Sequence, residues 1–142
     1  MARLNPYLNF TDNARAALEF YHSVFGGELS MNTFAEFGQA EDPADAEKIM
    51  HGQLEGDGGL LLMASDTPAG MPVSGTDGNI SVSLSGGPED DATLRRHWDA
   101  LSGSGSVTVP LEVAPWGDAF GMCVDGFGIN WLVNIAGNTP EQ

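Results

Sequence analysis

His51 is the side chain of this chain most suited to chemistry, and its place in the sequence limits what that chemistry is. It lies in an extended run, Met50 to Glu55, in which successive side chains point to opposite faces, so His51 shares a face with Gln53 and Glu55. An imidazole with an ordinary pKa of about 6.5 serves as a general base or a metal ligand, and the amide of Gln53 beside it suits hydrogen bonding to a ligand. No carboxylate partner for His51 can be assigned from spacing. The other two histidines, His22 and His97, fall inside helical patterns near their outward faces and read as surface or partly packed residues. Cys123, the single cysteine, sits between Met122 and Val124 with no basic neighbour to lower its pKa, which predicts an inert, buried thiol. No Ser-His-Asp or Cys-His spacing stands out, and such triads are recognised by geometry rather than chain position.

Two further groups of residues offer binding chemistry. Ser81, Ser83 and Ser85 alternate with Ile80, Val82 and Leu84, and near the N-terminus Asn5, Tyr7 and Asn9 alternate with apolar neighbours. Hydroxyls and amides on one strand face suit a small polar ligand, and the same alternation marks any strand with one wet face. Trp116, Phe120, Phe127 and Trp131 crowd toward the C-terminus, with Phe34, Phe37, Met50 and Met63 as further candidates for a cavity wall. Aromatic side chains stack on planar ligands, although core packing is their commoner use. Trp116, placed between Pro115 and Gly117 in an apparent loop, is the best placed of them. The candidate ligand-binding set is thus Tyr7, Gln53, Ser81, Trp116, Phe120 and Trp131, with His51 as the candidate catalytic residue.

These side chains must be positioned by elements, and the hydrophobic pattern supplies them. Asn5 to Phe10 reads as a strand; Asp12 or Asn13 supplies a cap for a helix in which Ala14, Ala17, Leu18, Tyr21 and Phe25 recur at helical spacing. Gly26-Gly27 supplies the left-handed residue that ends it. Leu29 to Phe37 is extended, Glu41 to Lys48 reads as a loop with one short helix, and Met50 to Glu55 and Leu60 to Ser65 form a hairpin around Gly56-Asp57-Gly58-Gly59. The order then repeats: a strand from Ile80, a helix opened by Pro88 with Leu94, Trp98 and Leu101 on one face and closed by Ser102 to Gly105, and three strands, Val107 to Val113, Ala119 to Val124 and Ile129 to Ile135, the last pair joined by Asp125-Gly126-Phe127-Gly128. A shift of 76 residues places Leu8 on Leu84 and Phe25 on Leu101. Duplication of a βαβββ unit predicts an α+β fold in which two modules form one concave groove with helices outside. Module one spans about 3–66, a Pro/Gly-rich linker about 67–78 and module two about 79–136, making residues 1–142 one domain.

Composition narrows the function classes. With 142 residues the chain buries roughly two-thirds of its unfolded surface, enough for a core without staples. No apolar run approaches the roughly 18 residues of a membrane span, and no signal-peptide pattern opens the chain. One cysteine forbids an internal disulfide, so the expected compartment is cytoplasmic. A net charge of −15, from 20 acidic and 5 basic residues, repels a phosphate backbone and argues against nucleic-acid binding.

The run from Asn5 to Glu28, together with Lys48-Ile-Met-His-Gly-Gln-Leu54, Leu62-Met-Ala-Ser-Asp66, Trp116-Gly-Asp-Ala-Phe-Gly-Met122 and Asp125-Gly-Phe-Gly-Ile-Asn-Trp131, resembles the PhnB-like branch of the vicinal oxygen chelate superfamily, which includes glyoxalases, bleomycin resistance proteins and dioxygenases. The resemblance spans about residues 4–136. It implies paired βαβββ modules, a homodimer, and a groove that chelates a divalent metal in some members and only binds ligands in others. The methyltransferase and DNA-binding labels often attached to the branch gain no support here, because no glycine-rich loop follows the first strand and the charge is wrong for DNA. In superfamily enzymes the metal ligands lie on the first and last strands of each module. Transferred to this chain, those places fall at Asn5 or Tyr7, Met63 or its neighbours, Asn79 or Ser81, and Leu132 or Asn130, none of them His or Glu. The expectation is a small-molecule binding protein with no metal site and no cofactor. The alternatives are a divalent-metal-dependent lyase, isomerase or dioxygenase that recruits His51, and a non-catalytic interaction module.

Overall fold

The computed structural model describes residues 4–38, 43–68 and 80–137, which divide into two compact units, Met1–Gly75 and Thr76–Gln142. The expected linker falls almost entirely outside the described residues, as does Asn79. In the first unit β1 (Tyr7–Phe10), α1 (Ala14–Phe25), β2 (Glu28–Thr33), β3 (Ile49–Glu55) and β4 (Leu61–Asp66) follow one another, with short 3-10 turns at Ala35–Phe37, Pro43–Asp45 and Asp57–Gly59. The sheet runs β1-β4-β3-β2, its β1–β4 pair parallel and the others antiparallel.

The second unit repeats this order with β5 (Val82–Gly86), α2 (Asp91–Gly103), β6 (Ser106–Val113), β7 (Ala119–Val124) and β8 (Asn130–Ile135), in a sheet β5-β8-β7-β6 whose pairs have the same senses. Leu8 and Leu84, matched by the 76-residue shift, are both buried, as are Phe25 and Leu101. Each unit is therefore the βαβββ module that the hydrophobic pattern predicts, and the fold is α+β with two four-stranded mixed sheets.

Each sheet has one face under its own helix. Ala14, Ala17, Leu18, Tyr21 and Phe25 are the buried stripe of α1, and Leu8, Phe10, Leu54, Leu62 and Ala64 are the buried strand positions of that unit. Gly52 lets the helix come close, since a Cβ there would collide with Leu18 Cδ1. In the second unit Leu94, Trp98 and Leu101 bury the matching stripe of α2, with Leu84, Cys123, Trp131 and Val133 buried from the strands. Complete burial of such side chains stabilises by roughly 1.5–3 kcal/mol each. The helix α1 ends as expected, with Gly26 and Gly27 at φ 70° and 87°.

The structure corrects the sequence reading in four places. The first strand begins at Tyr7, and Phe34 to Phe37 leaves the sheet in a turn instead of extending β2. A register slip between Asn32 and Thr33 leaves Met50 as an extra residue in β3 and returns Ile49, 1% exposed, to the helix side. Neither Asp12 nor Asn13 caps α1: Asn13 occupies the cap position without a side-chain bond, and the carboxylate that receives the Ala14 N–H belongs to Asp66, at 2.9 Å. Among the described residues no helix is long and apolar enough to cross a membrane.

Candidate functional site

Where Gly52 and Leu54 turn toward the helix, the alternate residues of β3 necessarily turn to the opposite, open face of the first sheet. Cross-strand register then sets His51 opposite Asn32, Gln53 opposite Ser30 on one side and Met63 on the other, and Met63 opposite Tyr7. Tyr7 is 45% exposed, and its ring lies 6.1 Å from that of His51 at an interplanar angle of 36°. The Gln53 amide donates to Glu55 Oε2 at 2.9 Å. Tyr7, His51 and Gln53 are thus neighbours on one face, and among the described residues nothing hydrogen-bonds either nitrogen of His51.

The open face of the second sheet carries Ser83 and Ser85, whose hydroxyls are 3.2 Å apart. Ser83 is in register with Leu132 and Ser85 with Asn134, and across the next pair Met122 meets Leu132 and Phe120 meets Asn134. Ser81 is half-buried, just ahead of β5. Asp118 accepts from Asn134 Nδ2 at 3.3 Å and from the Gly137 N–H at 2.9 Å, fixing the end of β8. Trp116 stands in the β6–β7 loop, 66% exposed, and packs edge-on against Phe120 with ring centroids 6.4 Å apart.

Trp131 is not part of this face. It pairs in register with Val82 and Cys123 on the helix side, is 2% exposed, and donates its indole N–H to Asp125 Oδ2 at 2.8 Å. The signal was present in β8, where Trp131, Val133 and Ile135 alternate with Asn130, Leu132 and Asn134. Of the other wall candidates, Phe34 is buried, Met50 and Met63 are half-buried, and the Phe37 side chain lies outside the described residues.

The other two histidines and the cysteine stand apart from both open faces. His22 Nε2 lies 3.0 Å from the Gly27 carbonyl at the end of α1. Burial, helped by the neighbouring Arg96 charge, holds His97 below the ordinary imidazole value. Cys123 is 1% exposed, and burial, with Asp125 nearby, pushes its thiol up to about 11. Native protein at pH 8 is therefore expected to react with a disulfide reagent such as DTNB less than about a hundredth as fast as unfolded protein; labelling at the rate of a free thiol would show that Cys123 is accessible.

The family-implied metal positions can be tested on donor chemistry. The first and last strands of each unit are neighbours: Tyr7 is in register with Met63, while in the second unit Ser81 stands just ahead of β5, Leu132 lies in β8, and Asn79 falls outside the described residues. A phenol, a thioether, a hydroxyl and an alkyl chain do not make a donor set for a divalent cation, which takes imidazole, carboxylate or thiolate. Among the described residues no three His, Cys, Asp or Glu side chains lie close enough to share an ion. The residues present do not fit the metal.

Sequence reasoning missed Asp66, Asp125, Asp118 and Glu28. The first two are buried carboxylates whose partners are backbone or indole N–H groups, and charge patterning alone gives no sign of that.

Residues 3–133 match the family model described as Glyoxalase/Bleomycin resistance protein/Dioxygenase superfamily. Among solved structures the chain is similar to protein PA1353 from Pseudomonas aeruginosa, with 38% identity, TM-score 0.78, and 97% of this chain and all of that one covered. A protein from Bacillus cereus described as a putative 3-demethylubiquinone-9 3-methyltransferase, PhnB protein, shares the fold at 21% identity and TM-score 0.73, covering 95% of this chain and all of that one. Protein YjdN of Escherichia coli is 25% identical over 98% of this chain and 99% of its own length.

Proposed function

This chain belongs to the glyoxalase/bleomycin resistance protein/dioxygenase superfamily, and from that premise we propose that it binds a small organic molecule on the open faces of its sheets without a divalent metal. One observation carries the reading: at the places where metal-dependent relatives bring ligands, this chain has Tyr7 in register with Met63, Ser81 ahead of β5 and Leu132 in β8, and none of these four side chains is an imidazole or a carboxylate. Those faces instead offer what binding needs, namely rings at Tyr7, Trp116 and Phe120, the imidazole of His51, the Gln53 amide and the Ser83–Ser85 hydroxyls. A rigid apolar surface with a few placed polar groups is the usual form of a small-molecule site. The protein is read as a cytoplasmic homodimer, in keeping with its single cysteine and the family resemblance. A methyltransferase role gains no support, since β1 passes to α1 through Thr11-Asp12-Asn13 with no glycine-rich turn to hold a nucleotide-like cofactor.

Elemental analysis of protein purified without chelators or metal columns should find less than about a tenth of an equivalent of any transition metal, and a thermal-shift screen of planar and polar metabolites should find ligands whose affinity falls about fivefold to tenfold in Trp116→Ala or Tyr7→Ala, the loss of one stacking contact. Near-stoichiometric metal that disappears with His51→Ala would establish the metal-dependent lyase, isomerase or dioxygenase instead. Ligands that bind both aromatic variants unchanged would remove the open faces from the mechanism.

A further inference from the structure

The charge of the open face in the first unit points to the kind of ligand it takes. Among the described residues no strand contains a lysine or arginine. Among the described residues the cations sit elsewhere: Arg15 on α1, Arg95 and Arg96 on α2, and Lys48 ahead of β3, paired with Asp45 at 3.1 Å. Glu28 and Glu55, by contrast, are exposed and face one another directly across the β2–β3 pair. Like charges at directly opposed positions destabilise a sheet, and no lysine or arginine on the neighbouring strands relieves them. A small cavity of about 160 Å³ lies there, lined by Glu28, Leu29, Ser30, Gln53 and Glu55.

The charge of that lining has one sign. Gln53 gives one of its two amide N–H groups to Glu55, its carbonyl oxygen and the Ser30 hydroxyl can accept, and the charged groups of the lining are both carboxylates. The cavity has room for a charged head group and not for a whole ligand. From Glu55 the next residue on the same face is Gln53, whose register leads across Met63 to Tyr7, which puts Met63 about 8 Å and Tyr7 about 12 Å from Glu55 by strand geometry. A thioether and an exposed ring at those distances suit the apolar end of the same molecule.

We propose that this face selects a cationic organic ligand, a primary amine or guanidine carrying a planar or apolar body, with Glu28 and Glu55 taking the charged end and Met63 and Tyr7 the body. The proposal rests on the binding reading above and adds its charge selectivity. It excludes carboxylates and phosphate esters of the same size, which would meet two like charges.

Three indoles of matched shape test it by ¹⁵N-correlated NMR titration of the full chain at low ionic strength: tryptamine, cationic; 2-(indol-3-yl)ethanol, neutral; and indole-3-acetate, anionic. Tryptamine should shift the amides of Tyr7, Glu28 to Ser30 and Gln53 to Glu55, bind at least about fivefold more tightly than the alcohol, and lose that advantage in Glu28→Gln/Glu55→Gln. Raising sodium chloride from about 20 to about 500 mM should remove most of the difference. Indole-3-acetate should leave these amides in place. The double variant is expected to fold, because both side chains are exposed and their mutual repulsion is removed. Equal binding of all three probes through these amides, or unchanged tryptamine binding in the double variant, overturns the charge selectivity while the binding reading stands. Failure of every probe to shift these amides overturns the proposal for this face, and the metabolite screen above decides the binding reading separately.

Discussion

Replacing Asp125 by alanine is expected to destabilise the second unit by roughly 3–5 kcal/mol, a large share of the roughly 5–15 kcal/mol that holds a domain folded. The carboxylate is 3% exposed and gathers three donors: Oδ1 accepts the Phe127 N–H at 2.8 Å and the Ile129 N–H at 3.0 Å, while Oδ2 accepts the Trp131 indole N–H at 2.8 Å. It thereby ties the β7–β8 turn to the largest fully buried side chain of the protein. Alanine would leave these donors without an acceptor in a place water reaches poorly, and the unmade bonds cost more than the made ones contribute. Asn is a sharper probe, because it keeps one oxygen for the turn but presents an NH₂ to the indole, donor against donor. Its cost should be intermediate, about 2 kcal/mol, and should shrink in a Trp131→Phe background, where no indole N–H remains to be orphaned. All three tryptophans, Trp98, Trp116 and Trp131, lie in this unit, so fluorescence-detected urea unfolding reports on it directly. Equal midpoints for wild type and Asp125→Ala would show that the turn is held by its backbone bonds alone.

The legible and illegible parts of this molecule differ by the range of the interactions behind them. Helix α1 could be read because its buried residues follow from spacing within one element, as could the duplication, since two copies of one pattern reinforce each other. His51, Gln53 and Tyr7 came together because alternation fixes which face each occupies, and register then makes neighbours of them. Trp131 was misplaced by letting residue type outweigh alternation: an aromatic near the end of the chain suggested a ligand wall, whereas its period-two partners, Val133 and Ile135, are core residues.

What the sequence could not show are contacts between residues far apart in the chain. The opposition of Glu28 and Glu55 depends on the register of β2 against β3, and the slip at Met50 that accompanies it leaves no local trace. The indole N–H of Trp131 finds its acceptor six residues away, across a turn whose glycines were legible but whose carboxylate looked like any other acid in a chain of net charge −15.

Asp66 shows the same limit at its longest range and leads to the second large effect expected. Its two oxygens accept from Ala14 N–H, 52 residues away in the chain, and from Ile49 N–H, each at 2.9 Å, with the side chain 4% exposed. One carboxylate therefore fixes the first turn of α1 and the start of β3 to the end of β4. A negative charge at a helix N-terminus also favours the helix dipole, and it stands here in place of the absent side-chain bond from Asn13. Asp66→Ala should cost the first unit roughly 3–5 kcal/mol, and Asp66→Asn less, because the amide keeps one acceptor and turns an N–H donor against the other partner. Asn13→Ala should change little, within about 0.5 kcal/mol, since its side chain makes no cap bond. That pair separates a cap supplied locally from one supplied by the tertiary fold. Far-UV circular dichroism and amide exchange at Ala14 and Ile49 are the measurements to use, because tryptophan fluorescence reports on the other unit. Asp66→Ala should speed exchange at both amides, and a larger loss from Asn13→Ala than from Asp66→Ala would return the cap to the residue that local sequence favours.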